Sequence, residues 1–235
     1  CSQLKMTAAD GKRYLTDCFT QQDILVLVEH IPSRYAVQFI KWFTYSDDTI
    51  DGKSRTKAYA LFESGLLASL EPGSVKCLQQ IHAYLFGGLY DFAGQIRDKN
   101  ISKGGFQFAN AYYFSTILPN IENMPETTFD EIINKYVEMN VAHPFMEGNG
   151  RSTRIWLDLM LKRTLKKCID WSKVNKNAYL EAMRKSVTDS SDLKALLEPA
   201  LTRKINDREM FMKGIDYSYY YESDDPTLEP DQKEV

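Results

Sequence analysis

Apolar residues recur every three or four positions along much of this chain, which is the spacing of one face of an α-helix. The clearest runs cover residues 58–70, 75–85, 129–141 and 151–165. Ser74 and Thr128 precede two of these runs and can accept hydrogen bonds from the first backbone N–H groups of a helix. Pro144 closes the run that begins at Phe129. The pattern therefore predicts a mainly α-helical fold.

The segment from residue 94 to residue 109 breaks this helical pattern. It reads GQIRDKNISKGGFQFA, with Lys103, Gly104 and Gly105 between two short stretches of strand-forming residues. We expect strands around residues 95–101 and 106–108. The sequence thus predicts one β-hairpin within a helical protein.

The two ends of the chain differ from its centre. Near the start, a turn at residues 9–12 precedes a short strand at 14–16, an apolar segment at 23–30 and a helix around 35–43. A polar stretch over residues 45–57 is typical of a linker, and the last residues are acidic and contain proline. We predict a small N-terminal module with its linker, a helical domain and a disordered acidic tail, over residues 1–57, 58–222 and 223–235.

Composition and charge exclude several classes of protein. The 235 residues are 43% hydrophobic and 26% charged, with a formal net charge of −3, which is typical of a soluble globular protein. The acidic balance argues against nucleic acid bound across the whole surface. Four cysteines stand apart without a CxxC pair, which favours free thiols over disulfides or a zinc site. Without a signal-peptide core or a membrane-spanning run, we expect a cytoplasmic protein with no membrane partner.

The candidate chemistry lies in the segment HPFMEGNGRSTR, from His143 to Arg154, between two predicted helices. Gly148 and Gly150, on either side of Asn149, allow backbone conformations that turn several N–H groups toward one point. The following helix N-terminus favours negative charge at the same place. The segment therefore predicts an anion cradle, and phosphate is the anion that suits it.

Four side chains of this segment fit phosphate chemistry. Arg151 and Arg154 stand three residues apart and can bind phosphate oxygens bidentately. The acidic Glu147 among them is explained by a Mg²⁺ ion shared with the phosphates, and His143 supplies a base near neutral pH. Each feature alone has an ordinary structural explanation, as a packed histidine, a turn or solvated arginines. Their occurrence together within one short segment favours the functional interpretation.

The segment resembles the signature of the Fic family, His-x-Phe-x-Asp/Glu-Gly-Asn-Gly-Arg-x-x-Arg, with every specified position filled. The resemblance covers about residues 74–222. It implies a Fic-type helical core with one β-hairpin flap, here with a small N-terminal appendage. Residues Lys103, Gly104, Gly105 and Phe106 lie where the family has its target-docking flap.

The resemblance implies a protein adenylyltransferase, which moves AMP from ATP to a hydroxyl of a target protein. His143 would deprotonate the Ser, Thr or Tyr hydroxyl, and Glu147 would hold Mg²⁺. Arg154 would hold the γ-phosphate, and Tyr179 would contribute to the adenine pocket. The α- and β-phosphates would be bound by Gly148, Asn149, Gly150 and Arg151.

A second motif near the end of the chain resembles the family's inhibitory helix, Ser/Thr-x-x-x-Glu-Gly/Asn. Ser218 and Glu222 fill its first and fifth positions, and Ser223 stands where Gly or Asn is expected. The resemblance implies that Glu222 pairs with Arg154 and blocks the γ-phosphate site. The alternative is a terminal helix that merely packs its tyrosines. In some relatives this glutamate also helps to remove AMP, so de-AMPylation is a further hypothesis.

Other functions stay open at this point. A Fic fold could serve as a regulatory or binding protein of phage or toxin–antitoxin origin, or transfer another group from UTP or CDP-choline. The N-terminal stretch resembles part of the Bro-type domain of phage antirepressors. The oligomeric state also stays open, with a homo-oligomer as one alternative.

Overall fold

A computed structural model describes residues 2–7, 12–31, 36 and 48–223 of the chain. The chain divides into two compact units, Cys1–Asp48 and Thr49–Val235. In the first unit, strand β1 (Ser2–Thr7) pairs antiparallel with β2 (Arg13–Cys18), and helix α1 (Gln21–Glu29) follows. The strand predicted at 14–16 is therefore confirmed. Most of the helix predicted at 35–43, the turn at 9–12 and the tail from residue 224 onward lie outside the described residues.

The second unit is mainly helical, as the apolar spacing predicted. Its α-helices are α2 (Ile50–Glu63), α3 (Leu66–Ser69), α4 (Val75–Phe86), α5 (Phe114–Glu122), α6 (Phe129–Ala142), α7 (Asn149–Leu165), α8 (Lys176–Lys185), α9 (Ser191–Leu197) and α10 (Arg208–Glu222). Ser74 and Thr128 cap α4 and α6 through their side chains, as predicted. Single-turn 3₁₀ helices occur at Ala111–Tyr113, Trp171–Lys173 and Glu198–Ala200.

Helix α7 is the central element of the core. It packs against α4, α6 and α10, and its residues from Arg151 to Leu157 are all buried. Trp156 is fully buried and its Nε1–H donates to the Ser74 carbonyl at 3.0 Å, which ties α7 to the start of α4. Because α7 is surrounded, the residues of its first turn are held rigidly by tertiary contacts rather than by helix propensity.

The linker prediction for residues 45–57 is wrong from Ile50 onward, because α2 occupies those positions. Thr49 caps α2 by accepting from the Gly52 N–H at 3.1 Å. The polar residues suggested a linker, yet Gly52 and Ser54 are buried against the rest of the unit. The predicted run 58–70 is also divided, since Gly65 adopts φ 74° between α2 and α3. The helical domain therefore begins before residue 58.

The predicted hairpin is present but much shorter than expected. Strand β3 (Ser102–Lys103) pairs antiparallel with β4 (Phe106–Gln107), and Gly104 and Gly105 turn the chain with φ 57° and 81°. The first strand was expected over 95–101, which is irregular instead. Its backbone bonds elsewhere: the Arg97 N–H donates to the Pro144 carbonyl at 2.8 Å. We call residues 102–107 the flap.

Strands β5 (Cys168–Ile169) and β6 (Leu201–Thr202) form a short pair that the sequence did not predict. Cys77 and Cys168 are buried free thiols, and burial raises the pKa of each to about 12. Within the described ranges no helix combines the length and the apolarity that crossing a bilayer requires.

The cap of α6 generates a stability prediction. Thr128 Oγ1 accepts from the Glu131 N–H at 3.2 Å, and the Glu131 carboxylate accepts from the Thr128 N–H at 3.0 Å. We expect Thr128→Ala to lower the free energy of unfolding by about 1 kcal/mol, because a helix N–H loses its acceptor. Urea unfolding followed by circular dichroism measures the change. Thr128→Ser, which keeps the acceptor oxygen, should stay close to wild type, and equal losses in both variants would contradict the capping role.

Candidate active site

The segment from His143 to Gly148 forms a tight loop between α6 and α7. His143 ends α6 in the left-handed conformation, with φ 50°, and Gly148 precedes α7 with φ 81°. The Asn149 side chain closes the loop, since its Oδ1 accepts from the Phe145 N–H at 2.9 Å and its Nδ2 donates to the Phe145 carbonyl at 2.8 Å. The family resemblance implied that Asn149 donates to phosphate. In this structure its amide is buried and used within the loop instead.

His82 of α4 supports the same loop from inside the core. Its Nδ1 accepts from the Gly94 N–H at 2.8 Å, so the ring proton lies on Nε2, which donates to the Glu147 carbonyl at 2.9 Å. The ring stacks on Phe145 with centroids 3.9 Å apart. Burial lowers the pKa of His82 to about 4, so the ring is neutral at pH 7. This role was not predicted, because His82 lies on the apolar face of a predicted helix and is typical there of an ordinary core position.

His143 has the geometry of a neutral base. Its ring stacks on Phe108, just beyond the flap, with centroids 3.7 Å apart. Nδ1 lies 3.1 Å from the Asn140 carbonyl, which can only accept, so Nδ1 carries the proton and Nε2 the lone pair. Burial lowers the pKa of His143 to about 4. At neutral pH the ring is therefore uncharged and able to take up a proton at Nε2.

A carboxylate of the chain itself lies over the first turn of α7. A Cβ atom added to Gly150 would collide with Glu222 Oε1 and lie 3.1 Å from Arg154 Nη1. Any side chain at position 150 would therefore displace the carboxylate. The Glu222 carboxylate thus lies at the N-terminus of α7, where the helix dipole favours negative charge.

Arg154 holds this carboxylate from within α7. The guanidinium is only 3% exposed, and its Nη2 lies 2.7 Å from Glu222 Oε1. It also donates to Ser218, from Nε to the hydroxyl at 2.8 Å and from Nη2 to the carbonyl at 2.8 Å. Glu222 Oε2 lies 3.6 Å from Lys103 Nζ on the flap. Glu222 thus bridges α7 and the flap.

Arg151 has carboxylate partners of its own. Its Nη2 donates to Glu147 Oε1 at 2.8 Å, and its Nη1 pairs with Asp51 at the start of α2. The guanidinium lies over the rings of Phe86 and Tyr219. Asp51 was missed at the sequence level, because it fell inside the predicted linker. The available signal was a threonine cap two residues before it.

Tyr179 lies in the core and not at an open surface. Its side chain is 2% exposed and stacks against Tyr221 with ring centroids 5.1 Å apart. Its hydroxyl bonds that of Tyr136 and lies 3.5 Å from Arg154 Nη1. The expectation that Tyr179 contributes to an adenine pocket does not fit this position, since burial leaves the ring no face for a base. Tyr179 instead contacts the Arg154 guanidinium through its hydroxyl and helps to hold it in place.

Helix α10 presents Ser218 and Glu222 on the face that meets α7. The tyrosines around them pack into the core, as the alternative explanation of this helix expects: Tyr221 donates to the Trp171 carbonyl at 3.0 Å, and Tyr219 donates to Ser54 at 2.9 Å. Ser223 stands where the motif has Gly or Asn. Here Lys176 caps the helix end, donating to the Tyr220 carbonyl at 2.8 Å and to that of Ser223.

Residues 72–161 match the family model described as Fic/DOC family. Over these residues the chain is similar to the Fic/DOC family. It is 32% identical over 153 residues to protein adenylyltransferase VbhT of Bartonella schoenbuchensis, covering 59% of this chain and 31% of that protein. It is 25% identical over 134 residues to the probable protein adenylyltransferase Fic of Salmonella typhimurium, covering 52% and 66%. The chain thus spans less than two thirds of the length of each of these relatives.

Solved structures of Fic domains are similar to this chain in fold. The N-terminal Fic domain of Bep8 from Bartonella sp. 1-1C matches with a TM-score of 0.56 at 14% identity, covering 75% of this chain and 90% of that one. BepC from Bartonella tribocorum matches with a TM-score of 0.54 at 19% identity, covering 65% and 84%. At such identities the similarity concerns the fold alone. The predicted Fic-type helical core with its β-hairpin flap is therefore confirmed.

The Glu222–Arg154 pair makes stability depend on pH. Burial by itself would raise the pKa of Glu222, but the Arg154 charge outweighs it and lowers the pKa from 4.5 to about 2. The stabilisation is complete above pH 4.5 and is lost as pH falls toward 2. Between pH 6 and pH 3 we expect wild type to lose on the order of 2 kcal/mol more than Glu222→Gln. Urea unfolding at each pH measures this, and parallel curves for the two proteins would contradict it.

Proposed function

We propose that this Fic domain is a protein adenylyltransferase held inactive by its own C-terminal helix. One observation carries the proposal: the Glu222 carboxylate lies over Gly150 and on the Arg154 guanidinium, where a phosphate group would find both a helix N-terminus and a bidentate donor. The names of the relatives in Bartonella schoenbuchensis and Salmonella typhimurium support the same reaction class.

ATP is the proposed donor. The Glu222 carboxylate over Gly150 supports a phosphate-containing donor, because the first turn of α7 already accommodates the two oxygens of an anionic group. Arg151 Nε is buried without a hydrogen-bond partner among the described residues, so one cationic donor there is still available. The BepC structure contains bound AMPPNP, and a Fic domain from Bartonella quintana contains ADP, which favours an adenine nucleotide. In our proposal the Arg151 and Arg154 side chains bind its phosphates.

Mg²⁺ is the proposed cofactor, with Glu147 as its protein ligand. The described residues contain no cluster of three metal-binding side chains. Mg²⁺ commonly needs only one or two carboxylates, with phosphate oxygens and water as its other ligands. Glu147 is exposed and touches Arg151, so its carboxylate lies beside the proposed phosphate site. A bound Mg²⁺ would neutralise phosphate charge during transfer.

The proposed reaction uses His143 as general base. A Ser, Thr or Tyr hydroxyl of a target protein gives its proton to His143 Nε2 while its oxygen attacks the α-phosphorus. The bond between the α-phosphorus and the bridging oxygen breaks, AMP stays on the target, and pyrophosphate leaves. Arg154 and the first turn of α7 orient the phosphates, so the contribution of the protein is positioning and charge stabilisation.

The flap is the proposed docking element for the target. Residues 102–107 form an exposed two-stranded hairpin whose outer edge can pair with an extended segment. Phe108 follows this edge directly and stacks on His143. A segment paired with the flap would therefore run beside the base. Lys103 contacts Glu222, so target docking and release of the inhibitory helix meet at one residue.

Label transfer from α-³²P-ATP tests the function. In the presence of Mg²⁺ we expect weak autolabelling of wild type and at least about tenfold more for Glu222→Gly, because Arg154 becomes available to the phosphate. Adding His143→Ala to Glu222→Gly should remove the signal. Ser218→Ala, which leaves Glu222 in place, is the matched control and should label much less than Glu222→Gly.

Other outcomes select the alternatives. Transfer from UTP or CDP-choline but not from ATP would keep the enzyme class and change the donor. No transfer from any donor in Glu222→Gly, with ATP binding intact by calorimetry, would favour a regulatory or binding protein. Loss of AMP from a labelled target that depends on Glu222 would establish de-AMPylation, and undiminished loss in Glu222→Gly would contradict it.

Asp51 yields a prediction about nucleotide affinity. It pairs with Arg151 across the proposed phosphate site, so it competes with a phosphate for the same guanidinium. In the Glu222→Gly background we expect Asp51→Asn to tighten ATP binding about two- to fivefold, since the Asp51 carboxylate is more than half exposed and water weakens its attraction to Arg151 to about 1 kcal/mol or less. Calorimetry measures the Kd. Glu63→Gln on the same helix, whose partner is Arg208, is the control and should leave the Kd unchanged. Weaker binding in Asp51→Asn would mean that Asp51 orients Arg151 instead.

A further inference from the structure

Arg97 occupies a central position that none of the functional motifs includes. Its guanidinium is 4% exposed and donates to four backbone carbonyls. Two belong to the end of α6 and its cap: Nε bonds the His143 carbonyl at 2.7 Å, and Nη2 bonds that of Ala142 at 3.0 Å. The others flank the flap, with Nη2 bonding Ala109 at 2.6 Å and Nη1 bonding Lys99. One side chain thus joins the two halves of the candidate site.

The hydrogen bonds of Arg97 indicate that this residue positions the backbone rather than stabilises the fold. Within the described part of the chain no carboxylate lies within salt-bridge distance of Arg97, so carbonyl dipoles alone compensate its charge. Burial of an arginine costs several kcal/mol before such compensation, and an apolar residue could fill the same space against the Phe114 ring at a lower cost. A guanidinium, however, is a planar fork whose donors hold several acceptors at fixed relative positions.

His143 is the residue that most needs such support. Its φ of 50° is uncommon for a residue other than glycine, and its ring must face Phe108. Arg97 fixes the carbonyls on both sides of the His143 Cα through the Ala142 and His143 bonds. The Arg97 N–H also donates to the Pro144 carbonyl at 2.8 Å. Three consecutive peptide groups around the base are therefore held by one residue.

We propose that Arg97 is the positioning residue that sets the distance and orientation between His143 and the flap. A target segment paired with the flap would then present its hydroxyl to Nε2 without further adjustment. The catalytic consequence rests on the proposed adenylyl transfer, whereas the placement of His143 does not. Arg97 acts through the backbone and touches neither donor nor target.

The kinetic test uses the full chain with Glu222→Gly, into which Arg97→Met and Arg97→Lys are introduced. We expect the autolabelling rate at saturating ATP to fall about 100-fold in Arg97→Met and about tenfold in Arg97→Lys, because small displacements of a reacting group have effects of this size. The KM for ATP should stay within about twofold, since the phosphate-binding groups lie on α7. Unchanged turnover, or a raised KM without a change in turnover, would overturn the proposal.

Lys135→Met is the matched control for removal of a buried cation. Lys135 is 1% exposed and donates to the Glu122 carbonyl at 2.8 Å, away from the loop and the flap. We expect it to lower the melting temperature and to leave turnover unchanged when assayed well below that temperature. Equal losses of turnover in Lys135→Met and Arg97→Met would show that Arg97 matters only for folding.

A spectroscopic measurement decides the placement of His143 even if no label is transferred. The chain has only three histidines, so ¹³C-labelled imidazole signals are assigned by replacing each with Gln. In Arg97→Lys and Arg97→Met we expect the His143 signal to move and its pKa to rise from about 4 toward 6.5, the ordinary value of a histidine in water, because a loosened loop admits water. The His30 signal is the internal reference. An unmoved His143 signal in a folded Arg97→Lys protein would overturn the proposal independently of activity.

Discussion

The buried guanidinium of Arg154 is the constraint on which this domain depends. A charge taken so far out of water needs partners, and α10 supplies them through Ser218 and Glu222 on one face of the helix. The same bonds hold α10 against α7, and the tyrosines of α10 complete the core around Tyr179. The packing of α10 on α7 therefore depends on the same contacts that compensate the charge of Arg154. Any ligand that binds Arg154 must compete with these contacts.

Around this pair, the loop from His143 to Gly148 is held by hydrogen bonds from core side chains to its backbone. His82 supports it at Glu147, and the Asn149 side chain closes it at Phe145. Arg97 adds its bonds at the His143 end. Because these residues bond within the loop, few other groups among the described residues would meet a ligand there: the His143 imidazole, Gly150, Glu147, Arg151 and Arg154. Such fixed surroundings are what preorganised catalysis by positioning requires.

Both arginines are paired with carboxylates of the chain itself. Arg154 is paired with Glu222, and Arg151 with Glu147 and Asp51. The Arg154–Glu222 pair is the more buried one, and attraction between charges is stronger there than in water, so a ligand must replace the carboxylate with at least equal charge. A polyphosphate carries several negative charges along one chain and can meet both arginines together. The charge pattern thus favours a polyphosphate over a single carboxylate or a neutral ligand.

The sequence by itself determined the helical periodicity, the caps of α4 and α6, and the twelve residues from His143 to Arg154. These features depend on neighbours a few positions apart, which local spacing encodes. Only the tertiary structure decided that α2 replaces the expected linker, that Tyr179 is buried, and that Asn149 closes its own loop. It also brought Asp51 to Arg151, one hundred residues away along the chain. Contacts at that separation arise from how helices pack, and no local pattern specifies them.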